Sequence, residues 1–173
     1  KTGERADHSH HTGMWLTYGD VDGSDFWGNG SKGLGKQNDN GGVIKHLKVD
    51  KLSGGIGEGS LVTVESWTDK SGKEVLKEKT EYHFIVSGST RIIDRITTLT
   101  AVDDEVSMPD TKEGMFGIRV ARQCVEASDQ EVHPRGDGIA HLCRSGCCLV
   151  AVGHTIQIGV DTKLYLHILD TFN

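Results

Sequence analysis

Proline is scarce, at 2 of 173 residues, and cysteine numbers only 4. Without a Gly-X-Y period the chain is not collagen-like, and four cysteines are too few for a disulfide-dense miniprotein. No heptad repeat is present, which excludes a coiled coil. No stretch approaches the roughly 18 consecutive apolar residues of a membrane span. Nor is there an excess of positive charge. The 19 Lys and Arg face 25 Asp and Glu, a formal net charge of −6, whereas nonspecific nucleic-acid binding rests on clustered basic side chains. What the chain does have is 23 Gly, 3 Trp and a 35% hydrophobic share. That composition belongs to a folded protein. The length predicts one domain, residues 1–173, burying roughly two-thirds of its unfolded surface.

The dominant period is two. Ser60-Leu-Val-Thr-Val-Glu-Ser-Trp67 is β-branched and aromatic, and its apolar side chains largely alternate with polar ones. Thr80–Val86 and Arg91–Ala101 behave alike, with Asp69-Lys-Ser-Gly72 and Ser87-Gly-Ser-Thr90 supplying the turn residues between runs. Further strands are expected at Gly42–Asp50, Gly117–Ala121, Cys148–Val152 and Lys163–Asp170. Residues 13–24 read as irregular structure or a short strand, and Gly28–Gly42 as a long surface loop. No window carries a capped 3.6-residue period. The fold class is therefore all-β, an antiparallel β-sandwich of supersandwich or jelly-roll-like form. Residue 1 is Lys rather than Met, and the chain stops directly after the apolar run Leu164–Phe172. A sandwich truncated at both ends is the expectation, with exposed edges that invite pairing between chains.

The segment Asp7-His-Ser-His-His-Thr-Gly-Met-Trp15 places three imidazoles and a carboxylate within five residues. On an extended strand His8 and His10 project to one face, while Asp7 and His11 project to the other. Alternate side chains lie about 6 to 7 Å apart there, so His8 and His10 are candidate cis ligands for a divalent transition metal, with nothing to choose among Zn, Fe, Mn and Cu. Histidine beside Trp15, Asp25 and Trp27 equally suits a metal-free sugar cleft, with rings stacking on pyranose faces and polar groups fixing hydroxyls. The same residues also serve a purely structural turn. His46, His83, His133, His141, His154 and His167 are scattered, and each alone reads as a surface or strand residue.

Three motifs together resemble the PmoA-like family of bacterial proteins. They are the Asp7-His-x-His-His-x-Gly-Met-Trp15 opening with Gly19-Asp-Val-Asp-Gly-Ser-Asp-Phe-Trp27, then Arg91-Ile-Ile-Asp-Arg-Ile-Thr-Thr-Leu99, then Asp110-Thr-Lys-Glu-Gly-Met-Phe-Gly-Ile-Arg-Val-Ala-Arg122. The resemblance covers residues 7 to about 125. It implies a β-sandwich with a role in bacterial carbohydrate or glycoside metabolism; the family's frequent label, methane oxygenase, implies instead a metal-dependent oxidoreductase or lyase. Its members are longer at both ends. Residues 134–152 depart from its pattern and hold Cys143, Cys147 and Cys148, three of the chain's four cysteines. Their C-x3-C-C spacing is not that of a zinc ribbon, and the stretch reads as aberrant coding sequence.

Lys112-Glu-Gly-Met-Phe-Gly-Ile-Arg119 adds a second cluster. Glu113 is placed as a general base, Arg119 as a clamp for a carboxylate or enolate-like oxygen, and Lys112 as a substrate contact. Gly114 and Gly117 allow a bend where backbone approaches a ligand. The alternative is a sheet-edge ion pair of little energetic weight. Asp94 and Arg95 face opposite sides of one strand, so one of them faces inward and needs a partner. There is no G-x-S-x-G elbow, P-loop or dinucleotide fingerprint. Three readings follow. The first is a sugar-active or sugar-binding sandwich, with His8, His10, His11, Glu113 and Arg119 as catalytic candidates and Asp7, Trp15, Asp25, Trp27 and Lys112 holding a small-molecule or glycan ligand. The second is a metal-dependent enzyme using His8 and His10, and the third a noncatalytic accessory module. A periplasmic, secreted or cytoplasmic location is left open.

Overall fold

The computed structural model describes residues 13–28, 39–103, 105–111, 115–119, 141–142, 147–150, 156–158 and 162–171, with side chains described through Gly117. All regular structure among them is β. In chain order the strands are β1 (Met14–Leu16), β2 (Val43–Gly54), β3 (Glu58–Thr68), β4 (Glu74–Ser87), β5 (Thr90–Ala101), β6 (Val106–Met108), β7 (Phe116–Arg119), β8 (His141–Leu142), β9 (Cys147–Val150), β10 (Ile156–Ile158) and β11 (Thr162–Thr171). They form an antiparallel sandwich. One sheet runs β11-β5-β4-β3-β2, the other β1-β7-β9-β8, and β10-β6 make a two-stranded ribbon.

The large sheet follows from the alternation in the sequence. Ser87 pairs with Thr90 across a two-residue turn, and β4 and β5 stay in register from there to Leu76 opposite Ala101. The β3–β4 turn is organised by Asp69, whose Oδ1 accepts from Ser71 N, Ser71 Oγ and Lys73 N at 2.8, 2.6 and 3.0 Å. These donors, the Ser71 side chain foremost, hold the Asp69 carboxyl below its ordinary range. Strand β2 runs to Gly54, beyond the Asp50 expected from sequence, and its pairing with β3 slips at His46/Lys48 and Val49/Lys51. Bulges of this kind twist an edge strand and blunt its tendency to pair with other chains.

The core sits at the Trp67 end of the large sheet. Trp67, Leu76 and Leu99 are fully buried there with Tyr18, Val21 and Phe26 from the segment after β1, and Met108 from β6. Each large side chain so buried contributes about 1.5–3 kcal/mol. Phe26 lies against Trp67 with ring centroids 5.1 Å apart. Segment 17–28 is held by hydrogen bonds more than by regular structure. Thr17 Oγ1 donates to Phe26 O at 2.7 Å, and Tyr18 Oη to Pro109 O at 2.9 Å. Asp22 takes a left-handed φ of 48°, which Asp tolerates, and bonds Ser107 through both its backbone N–H and its carboxylate.

Two glycines are required by close approach. A Cβ on Gly42 would lie 2.5 Å from the Phe26 ring, and one on Gly117 would lie 2.3 Å from the Trp15 indole. The bend anticipated at Gly117 thus makes room for the chain's own Trp15, its register partner across β1 and β7. Phe26 is locked in the core, whereas Trp15 is only half buried. Gly42→Ala is therefore expected to cost about 1–3 kcal/mol through overpacking, and Gly117→Ala less, because the indole has room to move. Urea unfolding of both variants checks the order; equal costs would contradict it.

Candidate functional site

The inner face of the large sheet begins apolar and then becomes polar. Register sets Trp67 beside Leu76 and Ala101, then Glu65 beside Glu78 and Leu99, then Thr63 beside Thr80 and Thr97, then Leu61 beside Tyr82 and Arg95. Of Asp94 and Arg95, Arg95 is the inward one, and Glu78 is its partner at 3.0 Å, their side chains 6% and 4% exposed.

Hydrogen counting fixes the direction of every bond in this cluster. Arg95 Nη2 donates to Glu78 Oε1, and Thr80 Oγ1 donates to the same oxygen at 2.7 Å. A hydroxyl has one proton. Thr80 has spent its own, so the 2.8 Å contact between the two threonines is Thr97 donating to Thr80. Thr97 in turn accepts from Arg95 Nε at 3.1 Å, which closes a ring. Trp67 Nε1 donates to the other carboxylate oxygen at 2.8 Å. Burial pushes the Glu78 carboxyl up, while Arg95, Thr80 and Trp67 pull it down and Glu65 adds to the rise. The Arg95 guanidinium lies 5.5 Å from the centroids of both Tyr82 and Phe116, one ring from each sheet. Cation–π contact with two rings fits its planar, weakly hydrated charge. Tyr82 stacks on Phe84 at 6.0 Å, and burial raises its hydroxyl pKa.

Glu65 stands beside this ring. Its Oε1 meets His46 Nδ1 at 3.1 Å, and its Oε2 is buried with no hydrogen-bond partner among the described residues. Two carboxylates directly opposite each other on neighbouring strands repel. Glu78 has the Arg95 guanidinium as its counter-ion, whereas Glu65 meets the imidazole of the exposed His46.

The sequence-derived candidates are distributed as follows. Asp7, His8, His10, His11, Lys112 and Glu113 lie outside the described residues. Trp15 pairs with Gly117 on β7, a strand interior to its sheet, and Arg119 ends that strand opposite Cys147. The ladder is antiparallel, so the Met14 end of β1, towards the histidines, meets the Ile118–Arg119 end of β7. Asp25 bridges to residues 40–42 through its backbone, and its Oδ1 accepts from Trp27 N at 2.9 Å; Trp27 is half buried. Among the described residues no three His, Cys, Asp or Glu side chains converge as a metal site. The sequence indicates one inward charge at Asp94 or Arg95, but not the Glu78, Thr80 and Thr97 that surround Arg95. Glu78 lies between Lys77 and Lys79 and reads as a solvated charge, yet its parity with Leu76, Thr80 and Tyr82 marks the inner face.

The chain is thus an antiparallel β-sandwich protein with an ion pair built into one inner face. Residues 2–144 match a family described as being of unknown function, DUF6807, and the chain belongs to it. No curated protein and no solved structure matches the chain. No helix among the described residues is long and apolar enough to cross a membrane.

Glu78→Ala leaves the Arg95 charge buried without its counterion and is expected to cost about 3–5 kcal/mol. Replacing both with Met should recover most of that loss, since an apolar pair of similar volume removes the need for compensation. Urea unfolding of the single and double variants decides this; a double variant as unstable as the single one would contradict it.

Proposed function

We propose that this chain is a sugar-active or sugar-binding β-sandwich protein of bacterial carbohydrate or glycoside metabolism. The observation that carries the reading is the β1–β7 ladder. It sets the end of the histidine-rich opening segment beside the strand of the Lys112–Arg119 motif, two stretches about a hundred residues apart in sequence. Phe116 of that strand reaches the Arg95 guanidinium, so the motif is also tied to the polar inner face. Imidazoles, carboxylates and an arginine among aromatic rings are the groups that recognise hydroxyls and stack on pyranose faces. The motif resemblance to PmoA-like proteins points to the same ligand class.

In this reading His8, His10 and His11 supply acid–base or polar contacts, and Glu113 and Arg119 the charged pair. Asp7, Trp15, Asp25, Trp27 and Lys112 orient the ligand. Glycan-array screening followed by calorimetry on the protein and on His10→Ala and Glu113→Ala tests it. Binding of at least one glycan, weakened about tenfold or more in both variants at unchanged melting temperature, is the expected result. Binding indifferent to both substitutions would overturn the reading.

A further inference from the structure

The outer face of the large sheet carries an ordered array of positive charge, although the chain as a whole is acidic. Register sets Lys45, Ser66 and Lys77 in one row across β2, β3 and β4, and Lys48, Val64 and Lys79 in the next. A third row is Lys51, Val62 and Glu81, and a fourth Ser53, Ser60 and His83. Lysines thus stand on either side of β3, whose outer positions from Ser60 to Ser66 are uncharged. Rows follow one another at about 6.7 Å, and the two lysine columns stand two strand spacings, about 10 Å, apart.

The columns enclose a trough. All five lysines are exposed, whereas Val62 and Ser66 between them are buried. A hollow of about 210 Å³ lies over Ser60 and Val62 between Lys51 and Lys79, and a second of about 410 Å³ continues it past Ser60 and His83 to Ser53 and Gly54. Two lysines are answered on their own strands, Lys48 by Asp50 at 2.6 Å and Lys79 by Glu81 at 3.3 Å. Lys45, Lys51 and Lys77 make no ion pair among the described residues. Lysine on an edge strand such as β2 commonly serves to repel other chains. β4 is interior to its sheet, so that duty does not account for Lys77 and Lys79.

We propose that this trough binds an acidic polysaccharide, its carboxylate or sulfate groups held by the flanking lysines. The lysine ammonium is a point charge on a flexible stem and suits anions that recur along a flexible chain. Val62 and Val64 offer apolar contact to the C–H faces of sugar rings, and Ser53, Ser60 and His83 offer polar groups to hydroxyls. The two serine hydroxyls already lie in a hydrogen bond of 2.7 Å. An acidic peptide would gain less there, because β3 is paired on both sides and has no free edge to extend. Single-stranded nucleic acid would lack stacking partners, since no Phe, Tyr or Trp occupies an outer position in these rows. The trough shares no residue with the site of the sugar reading and does not rest on it.

Calorimetric titration with oligogalacturonate, a heparin oligosaccharide and a neutral dextran oligosaccharide of equal length tests this. At least one acidic glycan should bind, more weakly as salt is added, while dextran gives no response. The oligogalacturonate and heparin arms separate carboxylate from sulfate recognition. Lys51→Gln and Lys77→Gln should each weaken that binding about threefold, and the double variant about tenfold. Lys70→Gln, in the β3–β4 turn, removes the same charge elsewhere and should leave it unchanged, as should His10→Ala and Glu113→Ala. Lys51 and Lys77 are exposed, so melting temperatures should not move. Failure of both acidic glycans to bind would overturn the proposal, as would binding that the double variant leaves intact. Equal binding of oligothymidylate or oligoglutamate would overturn it too, by showing a general response to negative charge.

Discussion

The ring joining Glu78, Thr80, Thr97 and Arg95 is the interaction on which the rest of the structure depends. Its four members come from two strands, Trp67 ties in a third, and the Phe116 ring covers it from the opposite sheet. A sheet's side chains alternate with period two, so a one-residue slip of β4 against β5 would turn either Glu78 or Arg95 to the outer face. The alternating apolar side chains oppose such a slip as well, and the ion pair adds the cost of separating two desolvated charges. The ring thus selects one register for the central strands at the cost of desolvating two charges, a trade favoured where specificity matters more than stability.

That register determines what both faces can do. Inside, it sets Glu65 opposite Glu78 and brings Tyr82 and Phe84 into line beside Arg95. Outside, the same pairing aligns Ser60, His83 and Asp94, and β11 extends the row. The small sheet does different work. Its β1–β7 pairing joins the beginning of the chain to its middle, with Trp15 filling the space that Gly117 leaves. Position on the sheet, not proximity in sequence, decides which chemistry meets.

Much of the large sheet was legible from sequence because β3, β4 and β5 alternate cleanly and their turns carry Asp, Ser and Gly. The all-β class and the inward position of one of Asp94 and Arg95 follow from the same periodicity. Strands β6, β8 and β10 have two or three residues each, too few for a period to register. The extension of β2 to Gly54 was hidden because its bulges break the alternation. Glu78 was obscured by flanking lysines, although its parity with Leu76 was available. The lateral alignment of Ser60, His83 and Asp94 was out of reach, since it depends on pairing between strands rather than on any local motif. His8, His10, His11 and Glu113, the most suggestive residues in the sequence, lie outside the described residues.

The most direct measurement of the central claim is side-chain hydrogen exchange by NMR at Trp67 Nε1–H and Arg95 Nε–H. If the ring holds the sheet's register, both protons exchange only when the sheet opens, and they are protected to about the same degree as the slowest backbone amides of β4 and β5. Exchange of either proton at the rate of an exposed side chain, with the neighbouring amides still protected, would contradict the account.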